Sequence, residues 1–473
     1  MNPYATIDDL GRMLRAKETT SVELTKFYLD RLDHLGPKLN AVVTLTRDRA
    51  LREAEAADRE IAAGRITNRP LLGIPHGVKD LLATKNIPTT WGAEPYRNQI
   101  FDYDATVVER LTKAGAVLVA KLAMVELAGG FGYDNADASF TGPGLSPWNT
   151  KFWSGGSSSG PGAAVGAGLV PFAIGSETSG SILTPSAFSG VTGLRPTYGG
   201  VSRHGAMALS WSLDKIGPLC RNAADCNTVL HAIMGEDEND PTTQGVYPPG
   251  KARWLASATH LQTKRTVRIA TVKGTYDKVQ PAVRENFLKS IEALKRLGHT
   301  ISEIEFPDMP YGATVGIIVD AEGASAFEDI IRDGRAKQLR AVADKTGGFT
   351  AAATLAIDYL RAMRIRAKVR QALLTIFDRV DLIAAPTRST VAYPIGVNFE
   401  DAYKGISSGP SIIGSMNLLG APAVALPNGL GENGLPTSIQ LNAAPANEVT
   451  LLNVAIHYQL ATDEHKRMPP LFG

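Results

Sequence analysis

The sequence predicts one continuous α/β domain around a mixed sheet flanked by helices on both sides. Three observations lead there. Short apolar runs alternate with helix-like pieces between Leu71 and Val119, which reads as βαβ. The same alternation returns between Thr266 and Phe306. No repeat, low-complexity tract or long polar linker divides the 473 residues. A helical N-terminal layer (about 1–65), a central part (about 66–235) and a C-terminal α/β part (about 265–465) are expected to share one domain, 1–473.

The elements follow in order. Thr20 and Glu23 form a capping-box pair before SVELTKFYLDRL, where Leu24, Phe27, Tyr28 and Leu32 recur at helical spacing. Residues 48–64 make an Ala-rich helix stopped by Gly64. LLGIP and AVLVAKL read as strands around the helix ATVVERLTKAG. After a Gly/Ser-rich region and the turn PTYGGVSRHG, Asp225 to Gly235 reads as helix. TVRIATVKG, AVRENFLKSIEALKRLG and HTISEIEF give strand, helix and strand. Residues 311–380 are mostly helical, and VDLIAAPT is a strand. NLLGAPAVALPNG and GLPTSIQL are strands, and NEVTLLNVAIHYQLAT is a closing helix. The stretch Asp237 to Arg265 is the best linker candidate.

Composition narrows the function classes. An apolar share of 44% and a charged share of 20% are ordinary for a globular chain, and this length buries a core without disulfide or metal staples. The 49 basic residues nearly cancel the 47 acidic ones, and no Lys/Arg run interleaves with aromatics, so no nucleic-acid partner is expected. Cys220 and Cys226 fit no common zinc spacing and read as reduced thiols. No secretion signal or run of eighteen apolar residues appears, so a cytoplasmic protein away from membranes is expected, as monomer or homodimer.

The chemistry concentrates between Ser154 and Thr197. Two Gly/Ser clusters, GGSSSG (155–160) and SGS (179–181), flank an apolar segment. Such small residues let backbone approach backbone and leave amide N–H groups free to bind an anion. A serine is a poor nucleophile without a base. None of the eight histidines occupies a triad setting: His34, His260, His299 and His465 lie in polar helix-end or loop contexts, and His76 beside a turn reads as structural. Lys79, in the apolar LLGIPHGVKDLL, can serve instead if burial leaves it neutral, although most such lysines reach out to solvent.

The combination resembles the amidase signature family. GIPHGVKD is similar to its lysine motif, and GGSSSGPGAAVGAGLVPFAIGSETSGSI to its Gly/Ser signature, with Ser157 and Ser181 at family spacing. GLRPTYGGVS, SWSLDKIGPL, LIAAPT and NLLGAPAVALPNG…GLPTSIQL extend the likeness over nearly the whole chain. The resemblance implies a cofactor-free, metal-free amidohydrolase. Ser181 is its nucleophile, Ser157 the bridging serine after a cis peptide, and Lys79 the base. The backbone N–H groups of Thr178, Ser179, Gly180 and Ser181 form the oxyanion hole. It also implies that Trp91, the segment Met124 to Tyr133 (with Gly129, Gly130 and Phe131), Ser158, Ile317 and Ile318 border the substrate. These residues are largely apolar, which points to aryl or alkyl amides, with esters and carbamates as side substrates.

The sequence departs from that pattern at Ser159, Pro161, Glu177, Ser179, Leu183 and Ser189. Leu183 bears most on function, because the branch of the family that supplies ammonia for tRNA amidation generally carries arginine there. Its absence leans toward a stand-alone amidase. Two other readings compete. Gly156 to Gly160 fits GxSxG with Ser158 as an α/β-hydrolase nucleophile, but PWNTKFW before it is not a convincing strand. Gly160-Pro161-Gly162 as a phosphate loop lacks the GK[ST] ending.

Overall fold

The computed structural model describes residues 1–247, 264–406 and 412–472. Its strands are β1 (Val42–Leu45), β2 (Pro75–Lys79), β3 (Val117–Leu122), β4 (Leu145–Ser146), β5 (Asn149–Trp153), β6 (Phe172–Glu177), β7 (Thr192–Arg195), β8 (Lys215–Cys220), β9 (Arg268–Val272), β10 (Thr300–Ile304), β11 (Leu382–Pro386), β12 (Ala423–Leu430) and β13 (Pro436–Ala443). Eleven of them form one sheet in the order β1-β3-β2-β6-β8-β7-β12-β13-β11-β9-β10. The sheet is mixed, as expected. β2 runs parallel to β3 and β6, and β9 parallel to β10 and β11, while the centre is antiparallel. Strands of the central and C-terminal parts meet where β7 pairs with β12.

The first sixty-odd residues hold the two helices read from the sequence, but also the strand β1, which the reading did not include and which pairs with β3. Thr20 accepts from Glu23 N–H and the Glu23 carboxylate takes Thr20 N–H, which starts the helix Ser21–Leu35. That helix buries Leu24, Tyr28 and Leu32, one side chain per turn. Each apolar side chain so buried is worth about 1.5–3 kcal/mol. The next helix, Arg47–Ala62, buries only Ala50, Ala54 and Ala57, small enough for it to lie close on β3.

Four further stretches differ from the sequence reading. LLGIP is not itself a strand: Gly73 turns the chain at φ +78°, and the ladder begins at Pro75. Asn417 to Leu419 end a helix, Ile413–Leu419, so only Ala423 onward is strand. PWNTKFW does contain a strand, β5, but it pairs with β4 in a separate hairpin rather than feeding the main sheet. The linker candidate carries a short 3-10 turn at Pro241–Thr243 and buries Tyr247, while 248–263 lie outside the described residues.

Candidate active site

The site forms where β2 and β6 end side by side. β2 delivers Lys79 as its last residue, and β6 delivers Ser176 and Glu177 as its last two. Between them comes the turn before the helix Ser159–Gly166, with a cis peptide at Gly156–Ser157. Gly160 allows this approach: a Cβ there would lie 2.4 Å from Ala123 N and 2.5 Å from Ala41 O, so the helix start rests directly on backbone.

Lys79 is fully buried, and its Nζ lies 2.7 Å from Ser157 Oγ and 2.9 Å from Ser176 Oγ, hydrogen-bonded to both. Burial pulls its pKa down to about 7, against the opposing fields of Asp214 and Glu177. A neutral amine in contact with a serine hydroxyl is what a lysine base requires. Ser181, 8% exposed, joins the cluster through its carbonyl, which accepts from Ser158 N–H at 3.2 Å.

The loop Thr178–Ser181 is held from two sides. Thr178 Oγ1 donates to Asp214 Oδ1 at 2.6 Å, and Asp214 also accepts the N–H groups of Leu209 and Ser210. Glu177 Oε2 accepts from Ile182 and Leu183 N–H at 2.9 and 3.0 Å, and Oε1 accepts from Arg195 and Asn417 at 2.8 and 2.9 Å. Burial pushes the Glu177 carboxyl up, but the Arg195 guanidinium and these donors hold it below its ordinary value. Gly180 adopts φ +99°, a conformation that favours glycine. The N–H groups of Ser179, Gly180 and Ser181 donate to no protein acceptor among the described residues, so they are open to an oxyanion.

A cavity of about 200 Å³ opens beside Ser176 and Thr178. Leu81, Ala128, Ala206, Met207, Leu209, Trp211 and Ile216 give it an apolar wall, with Arg203, His204, Asp214, Lys215, Asn239 and Asp240 among its polar groups. The charged groups are engaged within the protein. Arg203 pairs with Asp240, and Lys215 donates to Leu213 C=O.

The residues expected to border substrate fall in several places. Ser158 is buried in the cluster, where its Oγ donates to Ser176 C=O. Ala128 represents the 124–133 segment on the cavity wall, which does not include Met124, Gly129, Gly130 or Phe131. Met124 is core, and Phe131 packs edge-on against Phe327. Trp91 stacks with Phe101 and packs at a tilt against Tyr96 and Phe327. Ile318 is buried and Ile317 half-buried among helices. Sequence reasoning missed Ser176, the Glu177–Arg195–Asn417 clamp and the wall from Arg203 to Ile216. The signal for the wall was SWSLDKIGPL, quoted for its likeness but given no role.

His76 is buried flat against Phe172, its pKa pulled down to about 3 by burial, and His260 lies outside the described residues. Among the described residues no cluster of His, Cys, Asp and Glu could hold a metal ion, and no helix is long and apolar enough to cross a membrane. Cys220 and Cys226 are buried and unbridged.

Known proteins share both the sequence pattern and this architecture. The family model Amidase matches residues 23–452. A glutamyl-tRNA(Gln) amidotransferase subunit of Azotobacter vinelandii is 38% identical over 98% of this chain and 99% of its own length. Its counterpart from Methylococcus capsulatus is 36% identical over 98% of both chains. The native peptide amidase of Stenotrophomonas maltophilia superposes with a TM-score of 0.85 at 30% identity, covering 99% of each chain. A chain from a vestigial protein complex bearing on the origins of an s-triazine catabolic enzyme superposes at 0.87, with 28% identity over 96% of this chain and 98% of that one. The fold, the ordered motifs and these matches together make the chain a member of the amidase signature family, an amidohydrolase acting on carbon–nitrogen bonds of amides.

Proposed function

We propose that the chain cleaves a small, largely apolar amide through Ser181, Ser157 and Lys79. The observation that carries this is the 2.7 Å contact between Ser157 Oγ and a lysine amine with no exposure to solvent. Neutral Lys79 takes the Ser157 proton as Ser157 takes that of Ser181. Ser181 Oγ then adds to the carbonyl carbon, and the oxyanion meets the N–H groups of Thr178, Ser179, Gly180 and Ser181. On collapse the C–N bond breaks, and the proton returns through Ser157 to the departing amine. The acyl group remains as an ester on Ser181. Water then repeats the sequence, giving its proton to the relay, adding to the ester and expelling Ser181. The scheme calls for no cofactor or metal.

The cavity supports a neutral acyl group, since its wall is apolar and its charged side chains are engaged elsewhere. Esters and carbamates pass through the same addition and elimination, and are expected as further substrates. A second reading, the glutaminase component of a tRNA-dependent amidotransferase, is favoured by the 36–38% identity to such proteins. Against it, Leu183 is packed with Ile413, Ala423 and Ala425, which leaves no cation at that position to hold a zwitterion.

The test is product release from aryl, alkyl and amino-acid amides, glutamine included, with matched esters and carbamates. Turnover of neutral apolar members, lost in Ser181→Ala and Lys79→Ala, is the expected result. Glutamine as the preferred substrate would favour the second reading, and activity surviving Ser181→Ala would contradict the first.

A further inference from the structure

Lys79 has a second partner to which the relay assigns no task. Ser176 Oγ lies 2.9 Å from Lys79 Nζ, on the wall of the cavity and at the end of the neighbouring strand. Ser158 braces it from behind: Ser158 Oγ donates to Ser176 C=O at 3.2 Å and accepts Ser176 N–H at 3.3 Å. Gly175 leaves room for that brace, since a Cβ there would lie 2.8 Å from Ser158 Oγ. Ser158 N–H also holds the Ser181 carbonyl. The residue after the bridging serine thus ties Ser176 and Ser181 into one unit around the lysine.

We infer that Ser176 is a positioning residue, aiming the Lys79 amine at Ser157 and receiving one N–H of the ammonium that forms during turnover. This rests on the relay proposed above. A neutral amine has one lone pair and two N–H groups. Committing an N–H to Ser176 turns the lone pair toward the Ser157 hydroxyl. Once Lys79 carries the extra proton, its charge is buried, and each hydroxyl acceptor offsets the missing water. Ser157 supplies one acceptor and Ser176 the other.

The experiment is kcat and KM against pH for Ser176→Ala, Ser176→Cys and Ser176→Thr, with the best neutral amide. For Ser176→Ala, kcat should fall at least about tenfold, a modest share of what acid–base catalysis supplies, with KM little changed. The acid limb of the profile should move to lower pH, because an amine short of an acceptor holds its proton less tightly. Ser176→Cys keeps the shape with a poor acceptor and should move the same way, which covers the case of an alanine variant that does not fold. Ser176→Thr keeps the hydroxyl and should recover most of kcat and the original limb. An acid limb that stays in place in Ser176→Cys, whether or not kcat falls, would overturn the inference. Ser181→Ala is run alongside: turnover persisting there breaks the relay itself, whereas turnover lost there with an unmoved Ser176→Cys limb breaks only the role of Ser176.

Discussion

Lys79 ends its strand with its amine wholly inside the protein, and burial brings its pKa to about 7. Since the lysine must be neutral to accept a proton, kcat/KM for a neutral amide should rise with pH through about 7 and level off above it. A flat profile between pH 5 and 9 would contradict a lysine base. Glu177 acts on the neighbouring loop. Its carboxylate takes two backbone N–H groups and the Arg195 guanidinium, both side chains fully buried. Glu177→Ala should cost about 3–5 kcal/mol in chemical denaturation, because it leaves Arg195 charged and unpaired. The meeting of Lys79 with Ser157 was legible in the sequence because their motifs are local and ordered. Arg195 and Asn417 were not, since 18 and 240 residues separate them from the carboxylate they meet.

At the scale of elements, the helix Ser159–Gly166 fixes where Ser157 stands, and Gly160 fixes the helix. All three atoms nearest a Cβ at Gly160 are backbone, so no side chain can yield to it. Gly160→Ala should therefore cost about 3 kcal/mol, the upper end for overpacking. It should also lower kcat by moving Ser157 off Lys79, whereas Gly64→Ala, with nothing within 4 Å, should leave kcat unchanged. Periodicity and caps made most elements readable, among them the capping box at Thr20 and the two parallel βαβ units. Periodicity misplaced the strand at LLGIP because an apolar run marks burial, and burial alone does not separate a strand from a buried turn.

The whole molecule couples its N-terminal layer to the helix Ala223–Ile233 through a buried carboxylate. Asp225 accepts the N–H of Ile7 at the first turn of the helix Ile7–Arg15, and burial raises its pKa to about 7, with Asp8 and Asp9 adding to the effect. A raised carboxylate pKa means that the folded state binds the proton more tightly than the unfolded one. Its stabilising effect is present below the ordinary carboxylate range and is lost as pH rises through about 7. Asp225→Asn should thus have a higher Tm than the wild type at pH 8, with the gap closing toward pH 4. The mixed sheet and its parallel units were legible at this scale, but the strand order was not, because β7 meets β12 across more than two hundred residues. The cavity was hidden for the same reason: its wall draws on Leu81, Ala128, Met207 and Asn239 together.

The most direct test of the central claim is to find where the acyl group goes. Rapid quench of an activated aryl ester or carbamate with the wild type, followed by peptide mapping, should place one acyl adduct on Ser181. The adduct should form slowly in Lys79→Ala and not at all in Ser181→Ala. An adduct on Ser158, or turnover with Ser181 unmodified throughout, would contradict the account.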